Sequence, residues 1–383
     1  MSTPTVMKDE VSQPQGPHGQ PGSRDNGIHV WVLRILSALI VPGVLVLFFF
    51  TFEFLKDPNT NKLLQIATAI VVGVGGVWLM FWAMDRLTNP VPERAAAGVR
   101  PFVFVGPALI LLGFYLVYPT VNTIILSFRD AAGEGFVGFD NYVRIFTENI
   151  YLISLRNSFM WAIIVPIFCV VFGLAVATLA DLLPRKTEAI VKSLIFLPMA
   201  VSFVGATVVF FFLYTFRTPG FGDQIGLLNA IWEALGGTPV DWLRIPFWNN
   251  FFLMAILVWT QTGFAMVILS SAIKGVPDDL LEAARIDGAN EWQVFRKITV
   301  PTIASTLVVV WTTILITTWK VYDIVAVGAQ TNDSSVIAER MVTEFYTFRN
   351  SGVGSALAVV LLVLVTPILI INIKRFQEQE ATR

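Results

Sequence analysis

Charge-free apolar runs dominate this chain. Eight of them lie between Arg34 and Glu53, Lys62 and Asp85, Arg100 and Arg129, Arg156 and Asp181, Lys192 and Arg217, Arg244 and Lys274, Lys297 and Lys320, and Arg349 and Lys374. A helix of about 17–25 residues crosses the roughly 30 Å hydrocarbon layer of a bilayer, and every run reaches that length. The runs are continuously apolar rather than alternating, so they predict helices, which satisfy their own backbone hydrogen bonds in lipid, rather than the strands of a barrel. The pattern predicts an all-α integral membrane protein with eight transmembrane helices.

Composition agrees: 55% of the 383 residues are hydrophobic, with 26 basic against 27 acidic side chains, and the mean hydropathy is +0.70. That is too apolar for a soluble globule. If the N-terminus is cytoplasmic, sixteen of the 26 Lys and Arg fall on the inside and ten outside, so the positive-inside rule predicts both termini in the cytoplasm. Residues 1–31, with Pro4, Pro14, Pro17 and Pro21, lack an apolar period and read as a disordered cytoplasmic tail. The first apolar run starts too late, and is too long, for a cleaved signal peptide. Cys169 is the only cysteine, so no internal disulfide and no cysteine-based metal site is expected; its place in mid-span predicts core or lipid-facing packing.

The chemistry of a self-sufficient machine is missing. There is no G-x-x-x-x-G-K-[ST] phosphate loop and no H-E-x-x-H, and the two histidines, His18 and His29, lie in or at the end of the tail. No run holds an ionisable residue, which an ion-coupled carrier would need inside its spans. No catalytic residue and no metal site is expected, and the energy source is expected outside this chain.

Nine charges between Lys274 and Lys297 interrupt the apolar pattern. Inserting them would cost about 25–30 kcal/mol, so this segment is a loop in water, on the cytoplasmic side. Its grammar is two short helices. Pro277 suits a first turn, Asp278 and Asp279 favour the positive helix end, Gly288 is a stop, and Asn290 with Gln293 has the spacing of a capping box. Small Ala283 and Ala284 would let another surface approach the backbone, which predicts a docking knob; the bland alternative is an amphipathic loop lying on headgroups.

The residues of "EAARIDGANEWQVFRKITVP" (282–301) resemble, position for position, the E-A-A-x-x-D-G-A-x5-F-x2-I-x2-P loop of permease subunits of binding-protein-dependent ABC importers. "GFDNYVRIF" (138–146) and "FLPMAV" (196–201) are similar to segments of the same six-helix, type I permease core. The two additional N-terminal helices, "KGVPDDLLEAA" and "VTPILIINIKRF" resemble the maltose and α-glucoside importers, although the large extracellular insertion of some maltose permeases is absent.

The resemblance implies a tail at 1–31, two extra helices over 32–99, a core over 100–375 with its coupling loop at 274–300, and a cytoplasmic tail at 376–383. It implies a non-enzymatic subunit of the cytoplasmic or inner membrane, forming half of an ATP-driven path for a sugar such as maltose. The implied partners are a second permease, two ATPase subunits and an extracytoplasmic solute-binding protein, with no nucleic acid. ATP and Mg would be bound by the ATPase subunits, and this chain would carry no cofactor. In the loop, Glu282 would contact the ATPase, Ala283 and Ala284 would permit close seating, and Asp287 with Gly288 would fix the helix end.

A pore for a polar solute needs polar groups at depth. The candidates are Met199 and Ser202 after the Pro198 bend, Thr260, Gln261 and Phe264 in the sixth run, and Thr318 and Tyr322 in the seventh. Each hydroxyl has the competing reading of back-bonding to its own helix. Lys320 reads as a snorkelling end residue, and residues 223–235 as an outer amphipathic helix that lies on the membrane or helps receive the binding protein. Rival functions are a permease for glycerol phosphate or an osmolyte, and a stand-alone carrier or channel.

Overall fold

A computed structural model describes residues 27–58, 60–88, 93–218 and 220–381. The expected tail lies outside them except for residues 27–31, which already belong to the first helix. Contacts divide the chain into two compact units, Met1–Val117 and Tyr118–Arg383, a boundary that falls inside the third apolar run.

In the first unit α1 (Gly27–Lys56) packs on α2 (Lys62–Thr88), and the turn between them is held by the Gln65 amide donating to the Asp57 carbonyl at 2.7 Å. Gly76 leaves room for the Phe48 ring. α3 (Glu93–Leu112) and a π turn at Gly113–Val117 complete it.

The second unit opens with α4 (Tyr118–Leu126) and α5 (Asp140–Thr147) and is organised by α6 (Asn149–Asp181). Next come α7 (Arg185–Phe196), α8 (Phe203–Tyr214), α9 (Leu227–Ala234) and α10 (Asn249–Lys274). The chain continues through α11 (Asp278–Ile286), α12 (Glu291–Val294), α13 (Val300–Thr302) and α14 (Ala304–Trp319). It ends with α15 (Asp323–Gly328), α16 (Ile337–Val342) and α17 (Ser351–Ala381), so the expected tail at 376–383 is helical as far as Ala381. Among the described residues there is no strand, only an isolated bridge between Arg129 and Phe136.

α6 and α10 run parallel at a steady offset. Trp161 donates to Asn250 at 3.0 Å near one end, Cys169 lies against Val258 midway, and Ser270 donates to Asp181 at 3.1 Å near the other. Gly173 makes the crossing close. One face of α6 joins α8, α10 and α15 in a core containing Trp161, Val165, Cys169, Leu257, Met266 and Ile324. The other joins α14, α16 and α17 around Tyr151, Leu315, Trp319 and Leu357. Cys169 is fully buried, so of the two expected placements, core or lipid-facing, the structure has the core.

Two expected spans are not straight. α7 with its 3-10 extension Leu197–Ala200 meets α8 at 104°, and Glu291–Thr302 meets α14 at 69°. α8, at 12 residues, is about 18 Å long and does not cross a bilayer alone. Local chemistry breaks the first of these: Pro198 sits in the 3-10 turn, and the Ser202 hydroxyl accepts from the Gly205 amide at 3.1 Å as the N-cap of α8. A charge-free run reports length and not direction. Among the described residues five helices are long and apolar enough to cross a membrane, or up to seven spans if each bent pair counts once. The expected first span, 35–52, lies partly outside the described side chains.

A Cβ at position 173 would stand 2.5 Å from the Ala265 Cβ and 2.9 Å from the Met266 backbone nitrogen. Gly173→Leu is expected to destabilise the fold by at least about 1–3 kcal/mol through overpacking. Gly73→Ala, in open space on α2, should be neutral or stabilising by up to about 1 kcal/mol. Melting curves of the two variants in detergent check this; equal midpoints would contradict it.

Candidate functional site

Where the fifth span breaks, a cavity of about 240 Å³ opens between the turn and the middle of α10. Met199, Val201, Ser202 and Phe203 line it from the break, Thr260 and Gln261 from α10. Four of the expected pathway residues therefore meet at one place, although Met199 and Gln261 are 62 positions apart in sequence. A helix break inside an apolar run exposes backbone polar groups, which is tolerated where they face a cavity.

The side chains differ in what they can offer. The Thr260 hydroxyl is spent on the Leu257 carbonyl at 3.0 Å, and the Ser202 hydroxyl caps α8. Gln261 is half-buried, and its amide makes no hydrogen bond within the described chain. A glutamine in a dry seam would have a fixed partner; the donors and acceptor of this one are unspent within the described chain.

Other candidates fall elsewhere. Phe264 packs against the α6–α10 core, and Thr318 is buried with its hydroxyl on the Ile314 carbonyl at 2.8 Å. Tyr322 caps α15 outside the cavity. Back-bonding, the competing reading of Thr318, is what the structure has there. Val201 and Phe203 join the lining unanticipated, because the break aims them inward. Also unanticipated are two polar cavities of about 280 and 310 Å³ that share Gln330, one lined by Thr331, Ser335 and Glu339, the other by Phe211, Tyr214 and Asp241. Residues so far apart carry no joint sequence signal. A larger space of about 710 Å³ beside Phe168, Phe172, Phe210 and Trp259 is almost wholly apolar and has no amide or charge to hold a polar solute.

α10 runs directly into the charged loop. α11 has no buried residue, and Glu282, Ala283, Asp287 and Gly288 are exposed, Ala284 half so. A free nine-residue helix is marginal in water. Here three devices hold it. Gly288 takes φ +84°, its amide donates to the Arg285 carbonyl and the Ala289 amide to the Ala284 carbonyl, which is a Schellman end. Asn290 and Gln293 form the expected capping box. The Arg285 guanidinium grips the Glu291 carboxylate at 2.9 and 3.2 Å, which holds the guanidinium above its usual pKa. The sequence reading missed that last pair, whose six-residue separation matches no helical repeat. Ile286, 85% exposed, with Trp292 and Leu280 puts exposed apolar side chains on an otherwise charged knob.

Residues 170–381 match the family described as the inner membrane component of binding-protein-dependent transport systems. The chain belongs to that family. Among curated relatives it is 51% identical over 282 residues to the osmoprotective compounds uptake permease protein GgtC of Synechocystis, covering 73% of this chain and all of that one. It is 50% identical over 332 residues to the alpha-glucoside transport system permease protein AglF of Rhizobium meliloti, covering 81% of this chain and 97% of that one. Its fold is similar to a chain of a bacterial ABC transporter that imports alginate, with a TM-score of 0.64, 19% identity, and coverage of 74% of this chain and 99% of that one. The protein is thus a multi-pass inner-membrane permease subunit of an importer, with the type I fold expected from its loop.

The loop of this permease gives a local test. Gly288→Ala puts a Cβ on a residue with positive φ, at a cost of about 1–2 kcal/mol although no atom lies within 4 Å of it. Amide exchange should quicken across α11 and stay unchanged across α10; unchanged exchange in α11 would show that the Schellman end does not hold the helix.

Proposed function

We propose that the permease forms half of an ATP-driven import path for a neutral sugar of the α-glucoside type. The observation that carries this is the unpartnered Gln261 amide in a cavity lined by neutral side chains, in a chain 50% identical to an α-glucoside permease. The lining holds no cation, which disfavours a phosphorylated solute such as glycerol phosphate. Identity of 51% to an osmoprotectant permease supports a second reading, an uncharged osmoprotective solute using the same cavity.

The partners in this reading are a second permease, two ATPase subunits that bind ATP and Mg, and an extracytoplasmic binding protein. α11 is the part that seats in the ATPase: Glu282 on its exposed face makes the contact, and Ala283 and Ala284 allow close approach. Ile286 and Trp292 are covered on docking, which is why they stand exposed alone. Both termini are cytoplasmic, and α9 faces outside.

Uptake by the reconstituted complex should favour maltose or trehalose over glycerol phosphate, and Gln261→Leu should depress uptake of the favoured sugar about ten-fold, the value of one polar contact, while assembly and basal ATPase activity persist. Normal transport by Gln261→Leu across the panel would remove the cavity from the path. Glu282→Lys should insert and fold normally yet lose solute-stimulated ATPase activity; wild-type stimulation would refute its docking role.

Cys169 is buried and should not react, so single cysteines at Asp279 and Leu235 report orientation directly. An impermeant reagent applied to intact cells should label position 235 and spare 279, and the reverse would overturn the topology.

A further inference from the structure

α7 lies antiparallel along the end of α10 and is fastened to it in register at three levels. At the deep end, Gly263 has no side chain because a Cβ there would stand 2.6 Å from the Ile195 carbonyl oxygen and 2.8 Å from the Phe196 Cα. About two turns further, Lys192 donates to the Ser270 hydroxyl at 2.5 Å. One turn beyond, Lys274 is paired with Glu188. Lys192 also bridges Glu188 and Asp181 at 2.5 Å each, so the ammonium ties α7, α10 and the end of α6 together.

The ends of this fastened pair are the two functional places. Beyond Lys274 only Gly275, Val276 and Pro277 precede α11, and Val276 is buried. Beyond Phe196 the chain enters the turn that puts Met199, Val201 and Ser202 on the cavity wall. We propose that α7 and the last turns of α10 act as one lever, closed by Lys192, Glu188, Lys274 and Ser270, that carries displacement of the docking helix α11 to the break at Met199–Ser202. Resting on the functional reading above, this makes Lys192 and Glu188 positioning residues for coupling rather than ligands of the solute.

Two features mark the cluster as more than a stability device. Asp181 Oδ2 is buried with no hydrogen-bond partner among the described residues, which leaves the carboxylate only half spent on the cluster. Charges on three different helices also need exact mutual placement to hold one another, so they report helix position in a way that apolar contacts do not. Packed elements transmit motion when they are rigid between two ends, and here a backbone contact and an ionic contact supply that rigidity.

The test uses the complete importer, reconstituted and assembled as judged by size-exclusion chromatography. Lys192→Met should lower sugar imported per ATP hydrolysed about three- to ten-fold, with Lys192→Arg, which keeps a permanent positive charge able to pair with carboxylates, restoring it. The paired variant Glu188→Cys with Lys274→Cys should be poorly coupled, be rescued by a short reducible thiol cross-linker, and lose coupling again on reduction. A lever predicts rescue because its two helices never part. If the cross-link stops transport, α7 and α10 separate during the cycle and the proposal fails. It fails equally if the ratio stays low after cross-linking, or if Lys192→Met or the uncross-linked double-cysteine variant couples like the wild type. A wild-type complex that neither imports sugar nor raises its ATPase activity with it would refute the functional reading instead.

Discussion

Backbone contact at two glycines, Gly173 and Gly263, determines where α10 sits, and most of the permease follows from that placement. In lipid there is no hydrophobic drive between helices, so close approach and polar contacts must supply the association. Gly173 lets α6 reach the backbone of α10, and Gly263 lets the end of α7 do the same from another side. Polar groups finish the work at the ends. Trp161, Asn157, Asn249 and Asn250 gather the 331–335 segment at the end of α10 away from the loop, and Lys192 gathers carboxylates at the loop end. Between them the faces of α6 and α10 are apolar and tightly filled.

Held this way, α10 has three tasks in sequence along its length. Its first turns anchor the helix, its middle presents Gln261 to the cavity, and its last turns deliver the chain into α11. The broken span opposite supplies the rest of the cavity wall, and it breaks there because Pro198 and the Ser202 cap end one helical direction and begin another. An unpartnered amide and a helix break are costly in a dry interior. Both are tolerated where they face an open cavity, and here they line the same one.

α11 shows the opposite economy. Nothing buries it, so its order comes from its own ends: the Schellman turn at Gly288, the capping box at Asn290 and the Arg285–Glu291 pair. Exposed charge pairs contribute little to global stability, and these need not. They keep a small knob in one shape while its apolar residues, Ile286 and Trp292, remain uncovered.

Much of this was legible in the sequence because it depends on local or one-dimensional rules. Length of apolar run reports membrane spans, nine charges report a loop in water, and Gly288, Asn290 and Gln293 report helix ends within a few residues of themselves. The motif from Glu282 to Pro301 carried the family for the same reason. What depends on direction and on distant partners was not legible. Two of the apolar runs bend, since a run of uncharged residues does not encode an angle. Thr318 and Tyr322 resemble Gln261 as polar residues of the apolar runs, and only packing separates a hydroxyl spent on its own helix from an amide facing a cavity. The register that brings Glu188 to Lys274 across 86 positions is likewise set by where α7 can touch α10, at a glycine whose reason for being glycine is another helix.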